Sequence, residues 1–144
     1  MKQFYLLPSL KKIFLPLWLS VLLSTFFIAA NAQAPDSKGK DFWLAFPGNF
    51  NPGALSFFIS GDESTTGTVS APGMGFNANF TVTPGIVTTV NLPTGILEMN
   101  LSNVIENKGI HIVAGKEVTV YGLNRYTATT DAYLALPTDI LGTS

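Results

Sequence analysis

The 144-residue chain has no cysteine, one histidine and, among eight basic residues, one arginine. Without cysteine there can be no disulfide, no thiolate metal site and no lipid-modified N-terminal cysteine. A structural or catalytic zinc site takes three or four protein ligands, and His111 has no second His or Cys to join it. No D-x-D-x-D run exists to wrap calcium. A G-x-S-x-G elbow is absent, and a Ser-His-Asp triad would have to recruit His111. "GKE" at Gly115 lacks the Ser or Thr and the upstream glycine of a phosphate-binding loop. "GMG" at Met74 lacks the rest of a dinucleotide fingerprint. These absences predict no catalytic residues, no metal and no cofactor. Paired carboxylates of the glycosidase kind stay open. Asp62 and Glu63 fall in an expected turn, however, and Asp131 and Asp139 near strand ends.

Charge is also scarce. Charged residues make up 12% of the chain and hydrophobic ones 47%. Part of that bias lies at the N-terminus. Lys2, Lys11 and Lys12 precede "IFLPLWLSVLLSTFFIAA", an uncharged run from Ile13 to Ala30. A basic segment, an apolar run and a small-x-small site describe a secretory signal peptide over 1–32. Ala30-Asn31-Ala32 places the cut between Ala32 and Gln33. Ala32-Gln33-Ala34 also fits but would leave Pro35 directly after the cut. The rival reading is a retained membrane anchor, since roughly 20 apolar residues span a bilayer. Pro16 and the Ala-rich end favour cleavage. The expected address is secreted or cell-surface, with membrane contact only through the signal peptide. Beyond residue 32, five basic residues stand against nine acidic ones, a net charge of −4. Nucleic acid is therefore not an expected partner, because it requires clustered Lys and Arg.

What the remaining chain does contain is alternation. Residues 33–40, "QAPDSKGK", read as a flexible leader, and 41–144 as one domain. Phe42, Leu44 and Phe46 share a face, as do Leu55, Phe57 and Ile59. Ile86, Thr88, Val90 and Leu92 form a third such set, and Ala132, Leu134 and Leu136 a fourth. Period two over short runs marks half-buried strands. "FPGNFNPG", "SGDES", "APGMG", "TPG", "LPTG", "ENKG" and "AGKE" punctuate them with turn formers. The pattern predicts an all-β, antiparallel β-sandwich. One hairpin is expected from 110–113 onto 117–123 through Ala114-Gly115-Lys116, with Gly115 at positive φ. A second is expected from 79–83 onto 86–92 through a type II turn at Pro84-Gly85. "TGILEMNLSNVIEN" has helix-like spacing at Ile96, Leu97, Leu101 and Val104. Its Asn and Ser content favours a single turn or an irregular crossover.

The polar run "YGLNRYTATTDAY" is the main candidate for a site. Asn124, Arg125, Tyr126 and Asp131 fall within eight residues, and Arg125 is placed to pair with Asp131 across a turn. Tyr121, Tyr126 and Tyr133 are candidates for a cross-strand aromatic cluster. With Trp43, Tyr121 and Tyr126 offer the apolar faces and polar tips that suit sugar or peptide binding. His111 reads as an ordinary surface or satisfied core residue. The candidate ligand-binding set is Trp43, Tyr121, Asn124, Arg125, Tyr126 and Asp131.

"GKDFWLAFPGNF", "ISGDESTTGTVSAPGMGF" and "GIHIVAGKEVTVYGLNRYTATTDAYLALPTDILGT" resemble the N-terminal domain family named after the IgG Fc-binding protein, in the style of its exported bacterial members. The resemblance covers about residues 38–144. It implies a β-rich module of a secreted, surface-attached or adhesion-like protein, with further domains following. It supplies no catalytic residues, and antibody binding does not transfer with the name. The family domain is longer than the 112 residues left after cleavage. The chain then reads as the N-terminal part of a longer protein, and an incomplete sandwich would leave an open sheet edge. The reading is a non-catalytic binding or adhesion module whose partner is an extracellular glycan or protein. The alternative is a carbohydrate-binding module of a larger extracellular enzyme.

Overall fold

A computed structural model describes residues 36–141. The expected signal peptide, its cut between Ala32 and Gln33, and the start of the leader lie outside the described residues. Nine strands follow in order: β1 Gly39–Leu44, β2 Phe46–Pro47, β3 Ala54–Ser60, β4 Thr65–Ala71, β5 Phe76–Val82, β6 Thr88–Asn91, β7 Glu98–Met99, β8 Ile110–Arg125 and β9 Thr130–Leu134. Two 3-10 turns, Pro72–Met74 and Thr138–Ile140, are the only helical elements among the described residues.

The organising element is β8. At 16 residues it is about 53 Å long, far beyond an average strand. Its first half is flanked by β1 and β4, in rows such as Phe42–Ile112–Val69 and Trp43–His111–Ser70. Its second half is flanked by β3 and β9, in rows such as Phe57–Gly122–Tyr133. β5 extends the first half beyond β4, and β6 extends the second beyond β3. The fold is therefore antiparallel and sandwich-like, with two four-stranded layers that share one strand. Separately, β2 and β7 form a short parallel pair.

The expected hairpin at Ala114-Gly115-Lys116 does not exist, because those residues lie inside β8. Gly115 is not among the glycines at positive φ. Glycine in a strand often marks a bend rather than a turn. Here Gly39 opposes Val118 while Asp41 opposes Val113, so β8 bulges where it passes from one layer to the other. The exposed Lys116 amide is capped by Thr65 Oγ1 at 3.0 Å. Phase survives the bulge: Ile110, Ile112, Ala114, Val118, Val120 and Gly122 all face inward.

The second expected turn is present and serves a different purpose. Ile86 N donates to Thr83 O at 3.0 Å, and Gly85 sits at φ 78°, as a type II turn needs. The strands it joins do not pair, however. β5 lies beside β4 and β6 beside β3, so the turn is a corner between the layers. Thr88 Oγ1 reaches Thr81 O at 2.6 Å across that corner.

Among the described residues, eighteen buried apolar ones form the core, including Phe42, Phe46, Phe57, Ile59, Ile112 and Val120. Phe46 packs on Phe57 at 5.2 Å and edge-on to Tyr133 at 5.6 Å. Large residues face small ones: a Cβ at Gly122 would lie 2.5 Å from Tyr133 Cζ. The phase expected for the last strand is reversed. Ala132, Leu134 and Leu136 are exposed, while Tyr133, Ala135 and Pro137 point inward. The inward phase lets Tyr133 fill the room over Gly122 and donate its hydroxyl to Ala45 O at 3.2 Å. In the third set, Val90 and Leu92 are buried but Ile86 is exposed. The segment 92–109 is an irregular crossover, as expected, and only Leu97 of its four helix-spaced residues is buried. The outer edge of β1 is met by the 137–138 segment, where Pro137 lies against Gly39 and Thr138 Oγ1 donates to Asp41 O at 3.3 Å.

Candidate functional site

The outer face of β1, β4 and the first half of β8 carries a composite site. Trp43 opposes His111 in the ladder, so both side chains leave the sheet on the solvent side. Their rings stack with centroids 4.3 Å apart and planes 7° from parallel. Trp43 remains 53% exposed. His111 Nε2 lies 2.9 Å from Asp41 Oδ2, and Asp41 Oδ1 accepts from Thr138 Oγ1 at 3.2 Å. Three neighbours thus fix the indole and its polar surround. The same row continues through Ser70 to Asn77, and the next runs Asp41, Val113, Thr68, Asn79. The result is a sheet face of amides and hydroxyls with one exposed indole at its edge.

The histidine is thus tied into a cluster that its isolation in the sequence did not announce. The cluster is not a triad. Ser70 Oγ lies 3.4 Å from the His111 carbonyl oxygen, to which it donates, rather than hydrogen-bonding the imidazole.

At the far end of β8 the residues of the polar run divide between inside and outside. Asn124 is 2% exposed and belongs to the interior. Its Nδ2 donates to Glu98 Oε1 at 2.7 Å and to Pro47 O at 3.3 Å, and Asn49 Nδ2 donates to its Oδ1 at 3.4 Å. Glu98 is fully buried, takes a second, long bond from Gly53 N at 3.4 Å, and leaves Oε2 without a partner among the described residues. Sequence reasoning passed over Glu98. Its one signal was a single acidic residue between Leu97 and Met99. Gly53 is required by close approach: a Cβ there would lie 2.4 Å from Asn124 Oδ1. Beside this network, Lys108 Nζ donates to Glu98 O at 2.7 Å and pairs with Glu106. The hydrogen bond from Lys108 holds the Glu106 carboxyl below its ordinary value.

Arg125 and Tyr126 line a cleft of about 500 Å3 together with Pro52, Gly53, Ala54, Thr94, Thr127 and Thr130. The expected Arg125–Asp131 pair is not formed among the described residues. The register explains this: Asp131 opposes Asn124, whereas Arg125 opposes Thr130, so the two side chains leave opposite faces. The expected tyrosine cluster is also not assembled. Tyr133 points inward and burial pushes its phenol well up, Tyr121 is 49% exposed on the outer face, and Tyr126 begins the turn closed by its N–H to Thr129 O at 2.8 Å. Nor do Trp43, Tyr121 and Tyr126 share one platform. Trp43 is registered with His111, and Tyr121 lies ten residues further along β8, a run of about 33 Å.

Among the described residues no group of three or more His, Cys, Asp or Glu converges as a metal site. No family model, no curated protein and no solved structure matches this chain.

Proposed function

We propose that this chain is a non-catalytic binding or adhesion module of a secreted or surface-attached protein, and that it holds an extracellular glycan against the face around Trp43. The observation that carries this reading is the exposed Trp43 indole, braced by His111 and Asp41 beside rows of Ser, Thr and Asn. An indole offers an apolar face to the C–H side of a sugar ring. The neighbouring amides and hydroxyls supply donors and acceptors for sugar hydroxyls. Bracing matters because a ring already held in place loses little freedom on binding. The signal-peptide pattern expected in the sequence of residues 1–32 and the family resemblance support the same extracellular setting.

A screen of the full chain against neutral glycans tests the reading. Retention on at least one of these polymers, lost in Trp43→Ala, is expected. Hydrolysis of a polymer without retention, or retention that survives Trp43→Ala, would contradict it.

A further inference from the structure

We propose that the cleft at the end of β8 is a second, separate site, one that takes the carboxylate of an acidic sugar with Arg125 as its anchor. Arg125 is the only arginine of the chain and, among the described residues, the only charged one lining the cleft. It makes no ion pair among the described residues, although the chain beyond residue 32 is acidic. A planar guanidinium grips a carboxylate through two parallel N–H bonds, which a lysine cannot do.

The cleft is also preorganised. Arg125 is registered opposite Ala54 of β3 on one side and Thr130 of β9 on the other, so its strand is flanked on both sides. The turn after it is closed by Tyr126 N to Thr129 O, and Thr129 Oγ1 is tied to Asn49 Oδ1. Thr94, Thr127 and Thr130 line the cleft with Arg125, and Tyr126 lies beside them. That lining matches a polyhydroxylated ring carrying one negative charge. A volume of about 500 Å3 is in the range of small-molecule sites and holds one or two sugar rings. A neutral sugar would leave the guanidinium unmatched, and a bare anion would leave the hydroxyls unused.

The test is an NMR titration of the full chain with three probes: a glucuronate-containing disaccharide, its neutral glucose counterpart, and inorganic sulfate. The acidic disaccharide is expected to move the amides of Thr94 and of residues 125–127, and to bind about tenfold tighter than either other probe, as hydrogen bonds to a charged group imply. Arg125→Gln should weaken it at least about tenfold, and Arg125→Lys should recover only part of the loss. Thr130→Val, which keeps the charge, should weaken it by a smaller factor. Thermal melts establish that each variant is folded. Equal binding of the neutral sugar, equal binding of sulfate, or full affinity in Arg125→Gln would each overturn the proposal, as would absence of binding by the acidic disaccharide.

Discussion

The two halves of β8 obey one alternation and do different things with it. In 110–118 the inward positions are Ile110, Ile112, Ala114 and Val118, all apolar, and the chemistry lies outside with His111. In 119–125 the inward row ends in Gly122 and Asn124, so a polar network reaches the interior. The first half presents a flat surface bearing a supported indole. The second closes on a buried Asn–Glu pair and opens a cleft at its rim. The difference teaches that strand phase decides only which way a side chain points. What waits there depends on the neighbouring elements: the apolar inner faces of β1 and β4, with Phe42 and Val69, in one case, and the β2–β7 pair carrying Glu98 in the other.

The comparison can be broken most strongly where the layers meet. Phe57→Ala should destabilise the domain by about 3–5 kcal/mol, measured by denaturant unfolding, because Phe57 is fully buried against Phe46. Next come two substitutions that act only on the second half. Gly122→Ala should cost about 1–3 kcal/mol, since the new methyl collides with the Tyr133 ring. Asn124→Leu should cost about 1–3 kcal/mol by removing the 2.7 Å donor to a buried carboxylate oxygen. A loss under about 0.5 kcal/mol in Asn124→Leu would mean that the buried pair does not form.

Gly115→Ala sharpens the account of the boundary. A hairpin with Gly115 at positive φ would lose more than about 1 kcal/mol, whereas a bent strand loses less. The strand geometry predicts the smaller value, because a Cβ would meet the Thr65 hydroxyl at 3.0 Å and the Thr66 carbonyl oxygen at an ordinary 3.7 Å. The smallest effect is a pH dependence. Burial raises the Tyr133 phenol above its ordinary 10.0. A raised value means that its stabilising contribution is complete below pH 10 and fades as pH climbs toward the raised value. Ultraviolet titration should show Tyr133 ionising above pH 10, and Tyr133→Phe should flatten the alkaline loss of stability.

Much of this architecture was legible in the residues, and the failures have physical causes. Alternation placed Phe42, Leu55, Phe57 and Ile59 correctly because polar residues mark the opposite face of each strand, Asp41 on β1 and Ser56 and Ser60 on β3. It reversed the last strand because "DAYLALP" is apolar on both faces, and the choice was made by Phe46 and Gly122, residues distant in the chain. Pro84-Gly85 was readable as a turn, since its chemistry is local. Whether its arms pair with each other is not a local property. "AGKE" looked like a turn because glycine permits both a reversal and a bulge. Arg125 and Tyr126 were visible as candidates, but Thr94 and Pro52 reach the cleft only through the tertiary fold. Glu98 was hidden for the same reason: nothing nearby in the sequence announces that Asn124 awaits it.

The most direct measurement is the indole Nε1–H resonance of Trp43 in the full chain, followed while a neutral glycan retained in the binding screen is added. The account predicts that this signal and those of the His111 ring move together and saturate, while the Arg125 cleft stays silent. Saturable glycan binding with the Trp43 and His111 signals unmoved would contradict it.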